Sequence, residues 1–445
     1  MRTLAIVITG IRFAAHLRSF LPMSRQERVI LLLLAAINFT HIMDFMVMAP
    51  LGTYLMEYFS ITEKEFSFLL AIYPIAAAVS SFAAAFFVDR FDRKRVLLMA
   101  YSGFILGTIC CAIAPSYAVL VAARGFAGLF GGLIGAQVLA IVADTFPFER
   151  RATAMGAIMG AFSLASALGV PTGLYLATHF NWHGPFYAVA AMGLVLIPLT
   201  MRFLPTQGGH LSPERASNRV PAREILGDIV RSKNQRIALA LSGCLMMGHF
   251  LIIPFLNPFL EFNKGFSKTE VLLVYVVGGV ATMITSPLLG KVADRWGKFR
   301  LFALMTIISV APIVLITNLP TLPLFTVLAV TGIWFVISTG RGIPASALVS
   351  AVVPPERRGG FMSFNSALQQ LFTGAASLIA GFIVVQDKTT HAVSHYDWTG
   401  YLSLAILGLA LLWGYRLNRA LGLGGKKDAP LTAEAVVIAE TSHQP

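Results

Sequence analysis

VDRFDRKR occupies Val88–Arg95, and a related octapeptide, ADRWGKFR, occupies Ala293–Arg300. Asp89 in the first copy and Asp294 in the second are 205 residues apart. Two further matches recur at offsets of 207 and 208 residues: PFERR (147–151) with PPERR (354–358), and His41 and Pro50 with His249 and Pro258. Separate matches at nearly one offset predict that the chain consists of two related halves.

The composition is typical of an integral membrane protein. Hydrophobic residues make up 56% of the 445 residues, charged residues make up 12%, and the mean hydropathy is +0.74, whereas soluble domains carry about 25% charged residues. Apolar stretches of roughly 20 residues, the length that a helix needs to cross a bilayer, recur along the chain. We predict an all-α membrane protein whose twelve transmembrane helices form two six-helix repeats, at 29–54, 66–88, 95–114, 117–143, 152–177, 185–204, 237–260, 268–293, 299–318, 322–353, 361–385 and 398–418.

The net charge of +13 is distributed in a way that indicates membrane topology and argues against nucleic-acid binding. With the N-terminus inside, 28 of the 34 Lys and Arg residues fall in inner segments and four fall in outer loops. This is the positive-inside pattern, and it predicts that both termini are cytoplasmic and that the chain lies in the plasma membrane, the inner membrane of a bacterium. The remaining two cations, Arg124 and Arg341, lie inside spans.

A polar, basic segment separates the two halves and predicts the domain organisation. Within it, AREILGDIVRS (222–232) predicts a short amphipathic helix on the inner membrane surface. The predicted units are a cytoplasmic N-terminal segment (1–28), an N-terminal six-helix bundle (29–204), a cytoplasmic linker (205–236), a C-terminal six-helix bundle (237–418) and a cytoplasmic tail (419–445).

Enzyme and metal chemistry are not indicated by the sequence. The chain has no P-loop, so an ATP-driven pump is not predicted, and no Cys/His cluster has the spacing of metal ligands. Three cysteines, Cys110, Cys111 and Cys244, do not make a disulfide framework. We expect no enzymatic activity, no cofactor and no metal.

Asp44 lies in the middle of the first predicted span, in NFTHIMDFMVMAP (38–50). A carboxylate at that depth costs at least about 3 kcal/mol, so it should face a cavity and have a partner. At 1.5 Å per residue, Asp44 and Arg124 lie roughly 15 and 10 Å from the outer ends of their spans, so the two could meet. His41 is one turn before Asp44 on the same helical face, and imidazoles titrate near neutral pH. We predict proton coupling by these three residues; purely structural hydrogen bonding is the alternative.

Arg341, in STGRGIPA (338–345), has no acid of its own within a span. A substrate anion, or the carbonyls of a broken helix, are its expected partners. Further candidates for substrate binding are polar or aromatic residues within spans: His249, Gln137, Asn257, Gln369, Gln370, Phe45 and Trp334. Interhelical hydrogen bonding and core packing are the alternative roles for these side chains.

The repeated loop carries a family resemblance. GKVADRWGK (290–298) is similar to the G-x-L-a-D-r-x-G-r-k signature of the major facilitator superfamily, which the chain resembles over residues 25–420. The first copy departs from it, with Ala85 and Asp92 where glycines are usual; we expect Asp92 to tolerate the left-handed turn conformation. RGFAG (124–128) and ALGVPTG (167–173) resemble the fourth-span and fifth-span motifs of proton antiporters. The resemblance implies a drug:proton antiporter or, more loosely, a sugar-efflux relative.

In the resembled family the repeated loop braces one end of the alternating-access cycle. This implies gating roles for charged residues at the cytoplasmic helix ends: Asp89, Arg93, Asp294, Lys298, Asp144, Arg150 and Arg151. Solvated charges that only determine topology are the alternative. Small residues and a proline are predicted to serve helix packing and bending: Gly128, Gly169, Pro171 and Gly173.

These patterns together predict a secondary active transporter. We expect proton-coupled efflux of a small amphiphilic, drug-like or sugar-like compound by alternating access. The expected partners are that small-molecule substrate, protons and the lipid bilayer, without nucleic acid, and the expected functional unit is a monomer. An uncoupled facilitator, a lipid exporter and a non-transporting membrane sensor are the alternatives.

Overall fold

Twelve helices of the computed structural model are long and apolar enough to cross a membrane. The structure describes residues 24–146, 148–206, 221–387, 390 and 392–422, except for the side chains of residues 89, 148–153, 159, 163, 355 and 356. The helices, named span 1 to span 12, are Arg25–Val47, Glu63–Ala84, Arg93–Ala112, Tyr117–Thr145, Ala154–His179, Gly184–Phe203, Lys233–Asn263, Lys268–Trp296, Lys298–Thr317, Leu324–Ser350, Arg357–Ile383 and Tyr396–Ala420. Each overlaps one predicted span, and the prediction of an all-α membrane protein with twelve spans is confirmed.

Shorter elements complete the described chain. They are the helices Gly52–Phe59 and Ala222–Arg231, a 3₁₀ turn at Val88–Arg90, a two-stranded antiparallel ribbon of Val385–Gln386 and Val393–Ser394, and segments within spans: Phe148–Leu164, Ala165–Gly169 (π-helical) and Val170–His179 in span 5; Lys233–Phe250, Ile253–Pro258 and Phe259–Asn263 (π-helical) in span 7; Lys298–Ile308 and Val310–Thr317 in span 9; and Pro355–Ile383, which includes span 11. We call the end of the molecule that carries Ala222–Arg231 the linker end, and the opposite end the far end.

Three spans begin with the same local chemistry. Ser24 accepts a hydrogen bond from the backbone of Glu27, whose side chain accepts one from the backbone of Ser24. Thr62 and Glu65 form the same capping box at the start of span 2, and Ser267 and Glu270 form it at the start of span 8. Each box satisfies two backbone N–H groups that a helix start leaves without partners. Thr62 and Ser267 are 205 residues apart, so the internal repeat extends to the helix starts.

Spans 1 and 7 are both interrupted near the far end. The helix of span 1 ends at Val47, and the chain resumes a helix at Gly52, after Pro50. The first helix of span 7 ends at Phe250 and the next begins at Ile253, with Pro254 in its first turn. Proline cannot donate the backbone hydrogen bond that a continuous helix needs. The continuous span predicted at 29–54 is therefore divided between two helices.

The linker contributes one described helix, Ala222–Arg231, as its sequence predicted. Ile225 and Ile229 on its apolar face are buried in the core of the second bundle. Its acidic residues pair with the start of span 11: Arg357 Nη2 lies 2.6 Å from Glu224 Oε1, and Arg357 Nη1 binds Asp228. The helix was expected to lie on the membrane surface, but its buried face is covered by protein.

The first six spans and the last six have separate apolar cores. The two bundles meet where span 2 packs along span 11 and where span 5 packs against span 8. The second contact is close, because a Cβ added at Gly279 would lie 2.5 Å from Cα of Ala167. Without a hydrophobic driving force in lipid, helices associate through such small-residue packing. The candidate site extends from the interior of the first bundle across this interface.

Candidate functional site

Asp44 and Arg124 form an ion pair in the interior of the first bundle. Nη1 of Arg124 donates to Oδ2 of Asp44 at 2.6 Å, and the two side chains are 1% and 0% exposed, respectively. Thr108 Oγ1 on span 3 donates to the other carboxylate oxygen at 3.3 Å. Spans 3 and 4 thus supply the partners that the buried carboxylate of span 1 requires. The contact between Asp44 and Arg124, which their similar depths in the membrane suggested, is therefore present.

Tyr73 on span 2 completes the surroundings of the pair. Its ring centroid lies 4.4 Å from Cζ of Arg124, a cation–π contact that adds to the ion pair. Span 4 can approach this close because it has glycines opposite Tyr73: a Cβ at Gly128 would lie 2.4 Å from the Tyr73 carbonyl oxygen, and one at Gly131 would lie 2.1 Å from its hydroxyl. Gly128 therefore packs directly against the backbone of span 2, in agreement with the packing role predicted for it.

His41 lies beside the ion pair without a hydrogen bond to it. Neither ring nitrogen has a partner among the described residues, and the ring packs against Phe104 with centroids 5.5 Å apart. A Cβ added at Gly131 would lie 3.2 Å from Nε2, so His41 and the Tyr73 hydroxyl face the same point on span 4. His41 is therefore a buried imidazole without a hydrogen-bond partner among the described residues, next to the ion pair.

The corresponding part of the second bundle carries a cation without an acid. Arg341 is 2% exposed, and neither Nη1 nor Nη2 has a hydrogen-bond partner among the described residues. His249, the counterpart of His41, stacks on Trp334 with ring centroids 5.0 Å apart and planes inclined by 18°, and it lies within electrostatic range of Arg341. Three of the predicted substrate-binding residues are therefore close together.

A row of rings connects the two charged sites across the bundle interface. Successive ring centroids are separated by 5.8 Å from Tyr73 to Phe45, 5.8 Å from Phe45 to Phe250, 5.4 Å from Phe250 to His249 and 5.0 Å from His249 to Trp334. Such spacings are those of ordinary aromatic pairs. We call these five side chains the aromatic row; in it Phe45, predicted at the substrate site, lies between Tyr73 and Phe250.

The remaining predicted substrate-binding residues are Asn257, Gln369, Gln137 and Gln370. Two of them already have hydrogen-bond partners within the protein. Asn257 is occupied at the far end, where Nδ2 donates to the Pro50 carbonyl at 3.0 Å and Oδ1 accepts from Tyr275 at 2.7 Å. Gln369 donates to Ser242 Oγ at 2.7 Å. Gln137 is buried on span 4, and Gln370 is half-buried on span 11. Hydrogen bonding between helices therefore accounts for Asn257 and Gln369, the alternative that the sequence left open.

Polar contacts between the two bundles close the far end. Besides the bond from Asn257 to Pro50, Lys268 Nζ of span 8 lies 3.4 Å from Glu57 Oε2 and 4.2 Å from the ring centroid of Tyr54. Glu261 Oε1 lies 3.9 Å from the same Nζ. We call Tyr54, Glu57, Glu261 and Lys268 the far-end cluster. It joins the helix after span 1 to spans 7 and 8, so the bundles cannot separate there without losing these contacts.

Lys268→Gln is expected to loosen the far end. Since Lys268 and Glu57 are partly exposed, the loss is small, and we expect an increase of about fivefold at most in opening. The measurement is labelling by a membrane-impermeant maleimide of a cysteine introduced at the buried Ser67, with the three natural cysteines replaced by serine. Lys264→Gln is the matched control, because Lys264 stacks on Phe259 within its own bundle. Equal labelling rates in the two variants would contradict a closing role for the cluster.

At the linker end, two of the predicted gating residues pair with each other. Arg93 Nε lies 2.7 Å from Asp144 Oδ2, which joins the start of span 3 to the end of span 4. Asp294 is exposed, and the structure gives no ion pair between it and Lys298. The side chains of Asp89, Arg150 and Arg151 lie outside the described residues.

The two copies of the repeated loop turn by different means. Gly297 has φ 102°, in the region that favours glycine. Asp92 has φ −58°, and its Oδ1 accepts a hydrogen bond from the Arg95 backbone at 3.0 Å. Asp92 does not adopt the left-handed conformation that it was expected to tolerate. The residue instead caps span 3, a position for which aspartate is strongly preferred.

Span 5 contacts span 1 through the predicted packing residues. A Cβ at Gly169 would lie 3.1 Å from Met43 Cγ, and one at Gly173 would lie 2.5 Å from Val47 Cγ2. Pro171 follows the π-helical turn Ala165–Gly169 and lies in the first turn of the helix Val170–His179, where a missing backbone N–H is tolerated. The two glycines place span 5 against span 1 at Met43 and Val47, which stand on either side of Asp44 in the sequence.

Sequence reasoning missed Tyr73, Thr108 and the far-end cluster. Tyr73 and Thr108 are common residues within apolar spans, and only the spatial neighbourhood of Asp44 distinguishes them. A signal for the cluster did exist: Lys268 and Glu57 are charged residues that flank predicted outer helix ends. Among the described residues, no group of three or more His, Cys, Asp or Glu side chains is placed to hold a metal ion.

Comparison with known proteins identifies the family. The family model of the Major Facilitator Superfamily matches residues 33–343. The uncharacterized MFS-type transporter YceJ of Bacillus subtilis is 26% identical over 354 residues, which cover 79% of this chain and 88% of that protein. Multidrug resistance protein Stp of Mycobacterium tuberculosis is 33% identical over 147 residues, 33% of this chain and 27% of that protein.

A solved structure extends the comparison to the fold. The crystal structure of a D-xylose-proton symporter superposes with a TM-score of 0.71 at 17% identity, covering 87% of this chain and 97% of that chain. At such low identity the likeness concerns the fold alone. With twelve spans in two bundles, and a family model that matches well over half of its length, the chain belongs to the major facilitator superfamily and is a multi-pass membrane transporter.

Proposed function

We propose that the chain exports a small amphiphilic or drug-like compound in exchange for protons. The observation that carries this proposal is the buried Asp44–Arg124 ion pair, whose carboxylate lies within a membrane span and within 3.3 Å of Thr108. Ionisable residues inside a membrane are costly and usually mark ion or substrate pathways. The similarity of one third of the chain to a multidrug resistance protein supports the export of a drug-like compound.

The ion pair supplies a simple means of coupling. As a carboxylate, Asp44 holds Arg124; once protonated, it loses the charge that holds the guanidinium. A substrate that reaches the aromatic row from the linker end would compete for the same cation, which Tyr73 connects to the row. Proton and substrate would then exclude each other, which is the requirement for exchange. His41, next to the pair, tunes the proton transfer.

The membrane orientation in this proposal follows the distribution of basic residues. The linker end, with the bulk of the Lys and Arg residues, faces the cytoplasm. The far-end cluster then closes the outer side, and a substrate is admitted from the cytoplasm. The expected membrane is the bacterial inner membrane, with both termini cytoplasmic. Reporter fusions after residues 210 and 430 should be read as cytoplasmic, and an external readout at either position would reverse the orientation.

The experiment that tests the proposal uses everted membrane vesicles from a host that lacks efflux pumps. An acidic interior is imposed and followed with a pH-sensitive dye, and a panel of cationic, neutral and anionic amphiphiles is added in turn. A transported compound should dissipate the pH gradient in vesicles that contain the protein and accumulate inside them. Vesicles without the protein are the control. Uptake that stops at equal concentrations inside and outside, with no effect of the pH gradient on its rate or final level, would favour an uncoupled facilitator.

A further inference from the structure

Three side chains on one face of span 10 carry hydrogen-bond donors that have no partner among the described residues. Trp334 Nε1, Ser338 Oγ and Arg341 Nη1 and Nη2 are buried, and none is hydrogen-bonded among the described residues. Positions 334, 338 and 341 follow one another at helical spacing, so the three side chains share one face. Buried polar groups are nearly always satisfied in native proteins. Indole and guanidinium groups can only donate, so their missing partner must be an acceptor.

The charge of this region also lacks compensation. The buried charged side chains of the described chain are Asp44, Arg124 and Arg341. Asp44 and Arg124 neutralise each other at 2.6 Å, which leaves Arg341 as an excess positive charge in the membrane interior. A buried charge without a partner is unfavourable, and a bound anion is the simplest compensation.

The apolar surroundings define the rest of the ligand. Trp334 stacks on His249, and His249 continues into Phe250 and Phe45 of the aromatic row. An anionic group held at Arg341 would therefore be followed by flat, apolar surfaces that lead toward the Asp44–Arg124 pair. Such surfaces suit a planar or amphiphilic body, since aromatic side chains bind flat groups by stacking.

We propose that Arg341, Ser338 and Trp334 bind the carboxylate of an amphiphilic or aromatic organic acid, whose body lies along the aromatic row. The two Nη atoms of Arg341 present the fork that a carboxylate accepts in bidentate geometry. This inference rests on the proposed function in taking the row as the substrate path. It specifies the substrate class as organic anions, whereas the proton exchange at Asp44 is a separate property.

Equilibrium binding to the purified full-length chain in detergent tests this proposal without proton coupling. The probes are 1-naphthoate, its neutral methyl ester and 1-naphthylmethylamine, which share one ring system and differ in charge. We expect saturable binding of 1-naphthoate with a dissociation constant of about 1 mM or tighter. The ester and the amine should bind at least about tenfold more weakly, which is the loss expected when a charge-assisted hydrogen bond is not made.

Variants distinguish the arginine site from general hydrophobic binding. Arg341→Gln should weaken 1-naphthoate binding at least about tenfold while leaving the ester unchanged, and Arg341→Lys should retain part of the preference for the anion. If Arg341→Gln does not fold, Trp334→Phe removes one donor, retains the stacking ring and should weaken the anion about threefold or more. Thr331→Val is the matched control on the same span, because Thr331 Oγ1 donates within its own helix at 2.7 Å.

Two outcomes would overturn the assignment. One is wild-type protein that binds the ester as tightly as 1-naphthoate, or binds no 1-naphthoate at millimolar concentration. The other is undiminished 1-naphthoate binding by folded Arg341→Gln and Trp334→Phe proteins. The binding assay imposes no pH gradient, so a positive result would stand even if proton exchange were not found in vesicles. Conversely, proton exchange could be established for a compound that has no carboxylate.

Discussion

Asp44→Asn is expected to abolish accumulation driven by a pH gradient. The amide has nearly the volume of the acid and can still accept from Arg124, but it cannot exchange a proton, so substrate movement is no longer tied to proton movement. With the membrane potential collapsed, exchange of one substrate for one proton sustains about a tenfold concentration ratio at a gradient of one pH unit in the wild type. The variant should reach a ratio of about one, whereas downhill exchange of the compound continues.

The measurement is the final accumulation ratio in everted vesicles at several imposed pH gradients, corrected for the amount of inserted protein. Asp397→Asn is the matched control, since it makes the same chemical change in the first turn of span 12, away from the buried pair. If the Asp44→Asn variant accumulates substrate to the wild-type ratio and this ratio still follows the pH gradient, Asp44 is structural. That result would contradict the proposed proton exchange.

Arg124→Ala should be the most destabilising of the changes considered. It leaves the Asp44 carboxylate buried without its cation and removes the contact with Tyr73. Breaking a buried ion pair by removing one partner costs about 3–5 kcal/mol. We expect loss of coupled transport together with a clear fall in thermal stability in detergent, measured by the fraction of protein that stays monodisperse after heating.

The double variant Asp44→Asn with Arg124→Ala separates the pair from its parts. Because the amide carries no charge to be left unpaired, the double variant should be more stable than Arg124→Ala alone, and its transport should fall little below that of either single variant. This non-additivity is the signature of two residues that act as one unit. Losses that simply add would indicate that Asp44 and Arg124 act separately.

The sequence predicted the number of spans, the two repeats and the contact between Asp44 and Arg124. Helix length and hydropathy follow directly from bilayer thickness, and the depth of a residue along its span follows from helical rise. The rotation of a span about its own axis does not follow from a single amphipathic pattern, because both lipid and helix interfaces are apolar. For this reason Asn257 was expected at the substrate site, whereas it binds Pro50 at the far end.

Local substitutions were also beyond the motif comparison. Asp92 replaces a glycine, and its tolerance of a left-handed conformation was one way to keep the turn. In the structure, the short acidic side chain of Asp92 instead accepts a backbone hydrogen bond and caps the next helix. Similarly, the linker helix was recognised by its amphipathic pattern, but its pairing with Arg357 depends on a residue more than 120 positions away. Local sequence carries no information on such a partner.

We expect the charge of Arg341, which has no acidic partner among the described residues, to make the transporter sensitive to membrane voltage. Moving one elementary charge through the full membrane potential changes the free energy by about 2.3 kcal/mol per 100 mV. When the bundles rock, a displacement of Arg341 through part of this field moves net charge, so the voltage favours one conformation of the free protein over the other. A bound carboxylate neutralises the moving site and removes that bias. The electrical potential would then act mainly on the return of the unloaded protein, and not on the step that carries the substrate.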